Sequence, residues 1–221
     1  MLDFAQARRI MIDSQLRTFD VNALPLLAAF DEVPRERFVP PGREGLAYID
    51  QDVLVSAPDD EPRSMLSPMV LARLIQGLDI SPGDKVLDVA CGLGYSSAVM
   101  ARLGADVLGL ETSERLAAEA RARLAEAGLP EVEIKVGPLE GGAPERAPFA
   151  AILVNGAIDA TPRSLLSQLV DGGRLACIEG RDRSARAKIY VRSGEAFGAR
   201  SLFDAAAPLL PAFRIEPGFV F

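Results

Sequence analysis

The sequence predicts an α/β fold in which a doubly wound, mainly parallel sheet ends in an antiparallel hairpin and follows an N-terminal helical extension. The first observation is that strand-like and helix-like runs alternate from residue 84 onward, which is typical of a parallel sheet with helices on both faces. The second is a glycine-rich turn at residues 91–94, directly after the first of these strands. The third is a pair of strand-like runs on either side of Ser193-Gly194-Glu195, which predicts a hairpin.

The helical extension is predicted over residues 1–63, ahead of a main domain at residues 64–221. Apolar residues at helical spacing predict a first helix near residues 4–11, and Asn22 is placed to cap a second helix that Pro34 ends. The rest of the extension is rich in proline and is expected to be irregular. Pro68 is suited to the first turn of a third helix, at the start of the main domain.

The main domain is read as short apolar strands separated by helices. Ser113 is a good cap for the helix that runs to Gly128, because its hydroxyl can accept from a backbone N–H of the first turn. The predicted strands are residues 85–90, 106–111, 132–136, 149–154, 174–178, 188–192 and 197–203, and the predicted helices are residues 95–103, 113–128 and 161–169.

Composition and charge exclude several classes of function. The net charge of −7 argues against a nucleic-acid partner, because phosphate binding needs a basic surface. The longest uncharged stretch, residues 89–101, is too short to span a membrane, and no apolar signal segment is visible near the N-terminus. Two cysteines give no disulfide framework, so a cytoplasmic location is expected.

The chain has no histidine, and this absence limits its chemistry. It excludes Ser-His-Asp and Cys-His mechanisms and every metal site that needs an imidazole ligand. The acidic residues between 50 and 61 are expected to form a solvated loop face, so no metal is predicted. Any general base would have to be a carboxylate or lysine with a shifted pKa.

The glycine turn and a later acid predict a site for a nucleoside-type cofactor. Gly92 and Gly94 lie at the carboxyl end of the first strand, where open α/β sheets bind ligands. A dinucleotide fingerprint would have a third glycine in place of Ser97, so the match to that motif is poor. Glu111 ends the second strand, where an acid can accept hydrogen bonds from both ribose hydroxyls. The alternatives are a tight turn that needs only positive φ and an ordinary acid at a helix N-terminus.

Residues 86–94, Val-Leu-Asp-Val-Ala-Cys-Gly-Leu-Gly, resemble the first motif of class I methyltransferases, which use S-adenosylmethionine. Segments elsewhere resemble one family of that class, the protein-L-isoaspartate O-methyltransferases; they are residues 13–17, 33–39, 68–74 and 169–175. The N-terminal segments are the more specific, because other class I methyltransferases lack them. The resemblance covers most of residues 8–195.

The resemblance implies a Rossmann-like class I methyltransferase sheet of seven strands, with the last strand inserted antiparallel and the N-terminal helices covering the active site. It implies S-adenosyl-L-methionine as cofactor and isoaspartyl residues of damaged proteins as substrate. A carboxylate with a pKa near 4 is already ionised at pH 7, so methylating it needs no histidine base. The alternatives are a methyltransferase of the same fold with another substrate and a non-catalytic protein that binds S-adenosylmethionine.

The sequence departs from the family pattern at three places. Ala90 stands where the family has its first glycine, and alanine fits this position if its φ is negative. Residues 137–139, Gly-Pro-Leu, replace a Gly-Asp-Gly whose acid meets adenine, so that contact would come from backbone groups or Glu140, or be absent. Leu66 replaces a serine of the family's active site.

The candidate site residues combine these observations. Ser64 and Ser67 flank the missing serine and are the catalytic candidates, with helix capping as their alternative role. Asn155 ends the fourth strand, where it either faces cofactor or substrate or caps the following turn. Cys91 lies inside the glycine turn, where a small buried side chain is the alternative to a functional thiol. The predicted cofactor-binding residues are Asp88, Ala90, Cys91, Gly92, Gly94, Glu111 and Asn155.

Overall fold

The computed structural model describes residues 3–215 of the chain, and its centre is a seven-stranded mixed sheet. Residues 1–2 and 216–221, the outer ends of the two predicted regions, lie outside the described residues. In chain order the strands are β1 (Val53–Leu54), β2 (Ser64–Met65), β3 (Lys85–Val89), β4 (Asp106–Glu111), β5 (Glu133–Val136), β6 (Phe149–Ile158), β7 (Leu169–Glu179), β8 (Arg186–Ser193) and β9 (Ala196–Asp204).

The large sheet has the strand order β5-β4-β3-β6-β7-β8-β9. Strands β3 to β7 pair in parallel, whereas β8 pairs antiparallel with both of its neighbours. The predicted doubly wound sheet with an antiparallel hairpin is thereby confirmed. The insertion of the last strand, which the resemblance implied, is wrong: β9 lies at the sheet edge, because the short turn at Gly194 and Glu195 keeps it beside β8.

Helices cover both faces of this sheet and account for the alternation seen in the sequence. They are α1 (Phe4–Met11), α2 (Leu24–Glu32), α3 (Pro68–Leu78), α4 (Tyr95–Arg102), α5 (Glu114–Glu126) and α6 (Arg163–Leu166). Helix α6 is shorter than the predicted 161–169, because Pro162 immediately precedes it and Leu169 already begins β7. Asn22 does not cap α2; its backbone N–H instead donates to Oε1 of Gln76 on α3, at 2.8 Å.

The apolar run of β3 is buried because the strand lies in the middle of a sheet that is covered on both faces. Val86, Leu87 and Val89 are all fully buried, and they are divided between two core clusters on opposite sides of the sheet. A continuous apolar strand is what a buried parallel sheet requires. This packing holds the end of β3, and therefore the glycine turn, in a defined position.

The N-terminal helices pack onto the same core as α3 and α4. Phe30 of α2 and Phe38 both meet the Tyr95 ring edge-on, at centroid distances of 6.0 and 5.7 Å. Fully buried Arg35 donates from Nε to the Ala47 carbonyl and from Nη2 to the Leu66 carbonyl. Within residues 3–215, none of the helices is both long and apolar enough to cross a membrane.

Candidate active site

The glycine turn lies at the carboxyl end of β3, beside the end of β4. Gly92 and Gly94 have φ values of 57° and 90°, in the left-handed region that favours glycine. The backbone N–H of Ala90 donates to the Leu110 carbonyl at 2.9 Å, which ties the turn to β4. The predicted position of the turn, at the strand ends where α/β sheets bind ligands, therefore agrees with the fold.

Ala90 does not have the negative φ that would suit alanine. Its φ is +60°, so the family's glycine at this place has a conformational reason that alanine does not remove. An L-residue in the left-handed region costs about 1 kcal/mol or more. The Ala90 methyl group is buried in the core, so its packing offsets part of that cost.

Asp88 lies beneath the turn and is fully buried. Ser96 donates to its Oδ2 at 2.7 Å, Ser97 donates to the same oxygen, and the Asn155 amide donates to its Oδ1. Burial raises the pKa of Asp88 to about 6, although these three hydrogen bonds oppose the rise. The carboxyl group therefore braces the turn from below, and Asn155 connects it to β6.

Glu111 ends β4 and is also fully buried. Its carboxylate accepts from the backbone N–H groups of Gly92, at 3.0 Å, and of Thr112, at 2.8 Å. The same carboxylate is held by the guanidinium of Arg63, with Nε at 2.9 Å from Oε2 and Nη2 at 2.8 Å from Oε1. The acid that the sequence assigned to a ribose thus has a two-pronged arginine partner inside the protein.

The Arg63 side chain lies against the open face of the glycine turn. A Cβ added to Gly92 would meet Cγ2 of Val55 at 3.3 Å and Cγ of Arg63 at 3.5 Å. The cavity between the turn, β2 and Asn155 has a volume of only about 10 Å³. That is room for about one water molecule, whereas cofactor sites usually enclose several hundred Å³.

Ser64 and Ser67 occupy different surroundings. Ser64 lies on β2 and lines the small cavity together with Gly92 and Asn155. Ser67 is the residue before α3; its N–H donates to Oδ1 of Asp52, and its hydroxyl does not cap the helix. Leu66 is buried between them and offers its carbonyl to Arg35.

The remaining residues singled out from the sequence are Cys91 in the glycine turn and the residues that follow β5. Cys91 is buried in the core, and burial together with the Asp88 and Glu111 carboxylates raises the pKa of its thiol. After β5, Leu139 is fully buried while Glu140 is exposed.

Sequence reasoning missed Arg63. The residue stands at the end of a proline- and acid-rich segment, 48 positions before its partner Glu111, and nothing in its local pattern indicates burial. It belongs to the loop between β1 and β2, whose pairing of Val53 with Met65 brings the loop over the end of β4. In the sequence it is a single arginine directly before Ser64.

Known families and proteins share the sequence pattern of this chain. A sequence profile of the protein-L-isoaspartate(D-aspartate) O-methyltransferase family matches residues 10–201. A protein-L-isoaspartate O-methyltransferase of Methylorubrum populi is 41% identical over 175 residues, which are 79% of either chain. One of Roseiflexus castenholzii is 36% identical over 204 residues, covering 92% of this chain and 91% of the relative.

Two solved structures share the fold at lower identity. A protein-L-isoaspartate O-methyltransferase superimposes with a TM-score of 0.79 at 22% identity, over 91% of this chain and 65% of its own. A candidate enzyme of the same kind from Plasmodium falciparum, solved with S-adenosyl-L-homocysteine, gives 0.77 at 20% identity, over 96% of this chain and 100% of its own. From the profile match and the relatives, the chain belongs to the protein-L-isoaspartate(D-aspartate) O-methyltransferase family.

Proposed function

We propose that the protein transfers a methyl group from S-adenosyl-L-methionine to the carboxylate of isoaspartyl residues in damaged proteins or peptides. The observation that carries the proposal is the family match over residues 10–201, together with relatives of the same name that align along most of their length. The glycine turn beside Glu111 supports it, because that is the arrangement by which an α/β sheet holds a ribose.

The polar groups of the site are suited to S-adenosylmethionine, but the cavity in this conformation is too small to hold it. Glu111 is an acceptor suited to ribose hydroxyls, and the left-handed Gly92 and Gly94 let a ligand approach the backbone closely. Val55 and Arg63 lie on that face, so they must move before a cofactor enters. The proposed cofactor-binding residues are Asp88, Ala90, Cys91, Gly92, Gly94, Glu111 and Asn155, with Asp88 acting by bracing the turn.

When bound, S-adenosylmethionine supplies a methyl group activated by a sulfonium centre. An isoaspartyl carboxylate is already ionised at neutral pH, so the enzyme needs no side chain that removes a proton from it. The residues around the cavity therefore have to bind, orient and exclude water. Of the two serines, Ser64 is the better placed to contact substrate, because it lines the same cavity as Gly92 and Asn155.

We further propose that residues 1–63 act as a cover over the site carried by residues 64–221. The contacts of Phe30 and Phe38 with Tyr95, the first residue of α4, support this role, since α4 follows the glycine turn. A cytoplasmic location is part of the proposal and is supported by two buried cysteines that form no disulfide.

The test is methyl transfer from tritiated S-adenosylmethionine to an isoaspartyl peptide and to its normal aspartyl twin. Label in the isoaspartyl peptide alone supports the proposal. Label that appears only with other components of a cell extract would indicate the same fold with another substrate. Cofactor binding without any transfer would indicate a non-catalytic protein.

A matched pair of variants tests the role of the cavity. Ser64→Ala should raise the KM for peptide, whereas Ser67→Ala should not, because Ser67 does not line the cavity. Single-turnover rates of both variants should stay nearly flat from about pH 6 to 8, since the nucleophile is already ionised. A rise of about tenfold over that range would instead mean that an enzyme group acts as a base.

A further inference from the structure

The Arg63 side chain occupies the acceptor that a ribose would use. Both Glu111 oxygens already accept from the guanidinium, and they also accept from the N–H groups of Gly92 and Thr112. Arg63 Nη2 donates in addition to Oγ1 of Thr112, at 3.1 Å. Ribose hydroxyls therefore cannot reach Glu111 while this pair is formed, because both compete for the same lone pairs.

The pair is well suited to closing the site. A guanidinium that donates two hydrogen bonds to one carboxylate forms one of the strongest hydrogen-bonded contacts between side chains. Both partners are buried, with 1% and 0% of their side chains exposed, so water screens their attraction very little. The stem of Arg63 and the Val55 side chain cover Gly92, so one loop blocks both the acid and the glycine turn.

The loop that carries Arg63 is attached in a way that permits its release. It connects two strands of only two residues each, β1 and β2, and its tip is exposed. The tip is held to α5 by an ion pair between Asp60 and partly exposed Arg115, and pairs of that kind contribute little. Because β1 and β2 form a sheet of their own, opening the loop requires no change in the pairing of the large sheet, and the core side chain it displaces is Val55.

We propose that Arg63 is a built-in competitor for the cofactor: it closes the site on Glu111, and S-adenosylmethionine binds only when Arg63 is displaced. This inference rests on the proposed cofactor site. Its consequence is that the apparent affinity is the intrinsic affinity reduced by the small fraction of molecules in which Arg63 has left Glu111. Anything that pulls the loop away, such as a substrate peptide contacting its exposed tip, would raise cofactor affinity.

Calorimetric titration with S-adenosylhomocysteine tests this competition. Arg63→Gln keeps a hydrogen-bonding side chain but removes the charge and the fork, and it should bind at least about tenfold more tightly than the wild type. The affinity of Arg63→Lys for S-adenosylhomocysteine should lie between those of the wild type and Arg63→Gln, because lysine keeps the charge but lacks the two-pronged guanidinium. Arg146→Gln is the matched control; it loses the same charge from a surface pair with Glu133 and should bind like the wild type.

A measurement on the unaltered protein complements the variants. The Nε–H resonance of Arg63, assigned by its loss in Arg63→Lys, should shift on addition of S-adenosylhomocysteine, because its carboxylate partner is taken away. Binding that leaves this resonance in place would overturn the proposal. Equal affinity of the wild type and Arg63→Gln would overturn it too, while leaving the cofactor site itself supported. Failure of every protein to bind would overturn both.

Discussion

Breaking the pair of Arg63 and Glu111 should cost more stability than breaking any exposed ion pair of this protein. The two side chains are 1% and 0% exposed and share a two-pronged contact, so removing one partner leaves an uncompensated charge inside the fold. Such losses are typically about 3–5 kcal/mol. Small domains have about 5–15 kcal/mol in total, so single variants should remain folded with a clearly lower midpoint.

The change is best made as a double-mutant cycle of Arg63→Gln and Glu111→Gln. Each single variant leaves one buried charge, whereas the double variant places two neutral amides side by side. The double variant should therefore lose less stability than the two single losses added together, with a coupling of about 2 kcal/mol or more. The same cycle on Arg146 and Glu133, whose side chains are 38% and 55% exposed, should give about 0–1 kcal/mol.

Equilibrium urea unfolding measures all of these values from the midpoint and slope of each transition. The reasoning would be refuted if Arg63→Gln and Glu111→Gln each lost less than about 1 kcal/mol, since that is the range of a solvated pair. Coupling as weak as that of the surface pair would refute it as well. S-adenosylhomocysteine should restore more stability to Arg63→Gln than to the wild type, because the variant binds it better.

Two further predictions concern the glycine turn. The pKa of Asp88 is about 6 in the folded protein and near 4 when unfolded, so its contribution to stability falls by roughly 3 kcal/mol as pH rises from about 4 to 6. Asp88→Asn removes that loss, so its stability relative to the wild type should improve over this range in urea unfolding; an unchanged difference would contradict the raised pKa. Ala90→Gly should change stability by less than about 0.5 kcal/mol, because relief of the left-handed φ offsets the lost methyl packing. Ala98→Gly, at a fully buried site in α4, should cost about 2 kcal/mol by thermal or urea unfolding, and equal losses at both sites would show that Ala90 is not strained.

The elements of the main domain could be predicted because their signals are local. The apolar run of β3 and the glycines after it are contiguous in the chain, and the hairpin of β8 and β9 has its own turn. The sequence-based predictions were wrong where adjacent elements in the fold determine the length or position of an element. Helix α6 ends early because β7 begins at Leu169, and the position of β9 at the sheet edge follows from pairing, which no local pattern encodes.

The candidate site divides in the same way. Gly92, Gly94 and Glu111 were identified because strand ends and turns have sequence signatures. The positive φ of Ala90 could not be predicted, since the backbone conformation is imposed by the hydrogen bonds that tie the turn to β4. The hydrogen bond that Asn155 donates to Asp88, 67 positions away, could not be predicted from the sequence either.

The sequence by itself determined the fold class, the family and the acid that faces the glycine turn, because each depends on residue types at short spacings. Only the tertiary structure decided what Glu111 holds. Arg63 reaches it across 48 positions, because the pairing of β1 with β2 folds the loop over the end of β4. A buried charge requires a partner, and which residue supplies it depends on distance in space rather than along the chain.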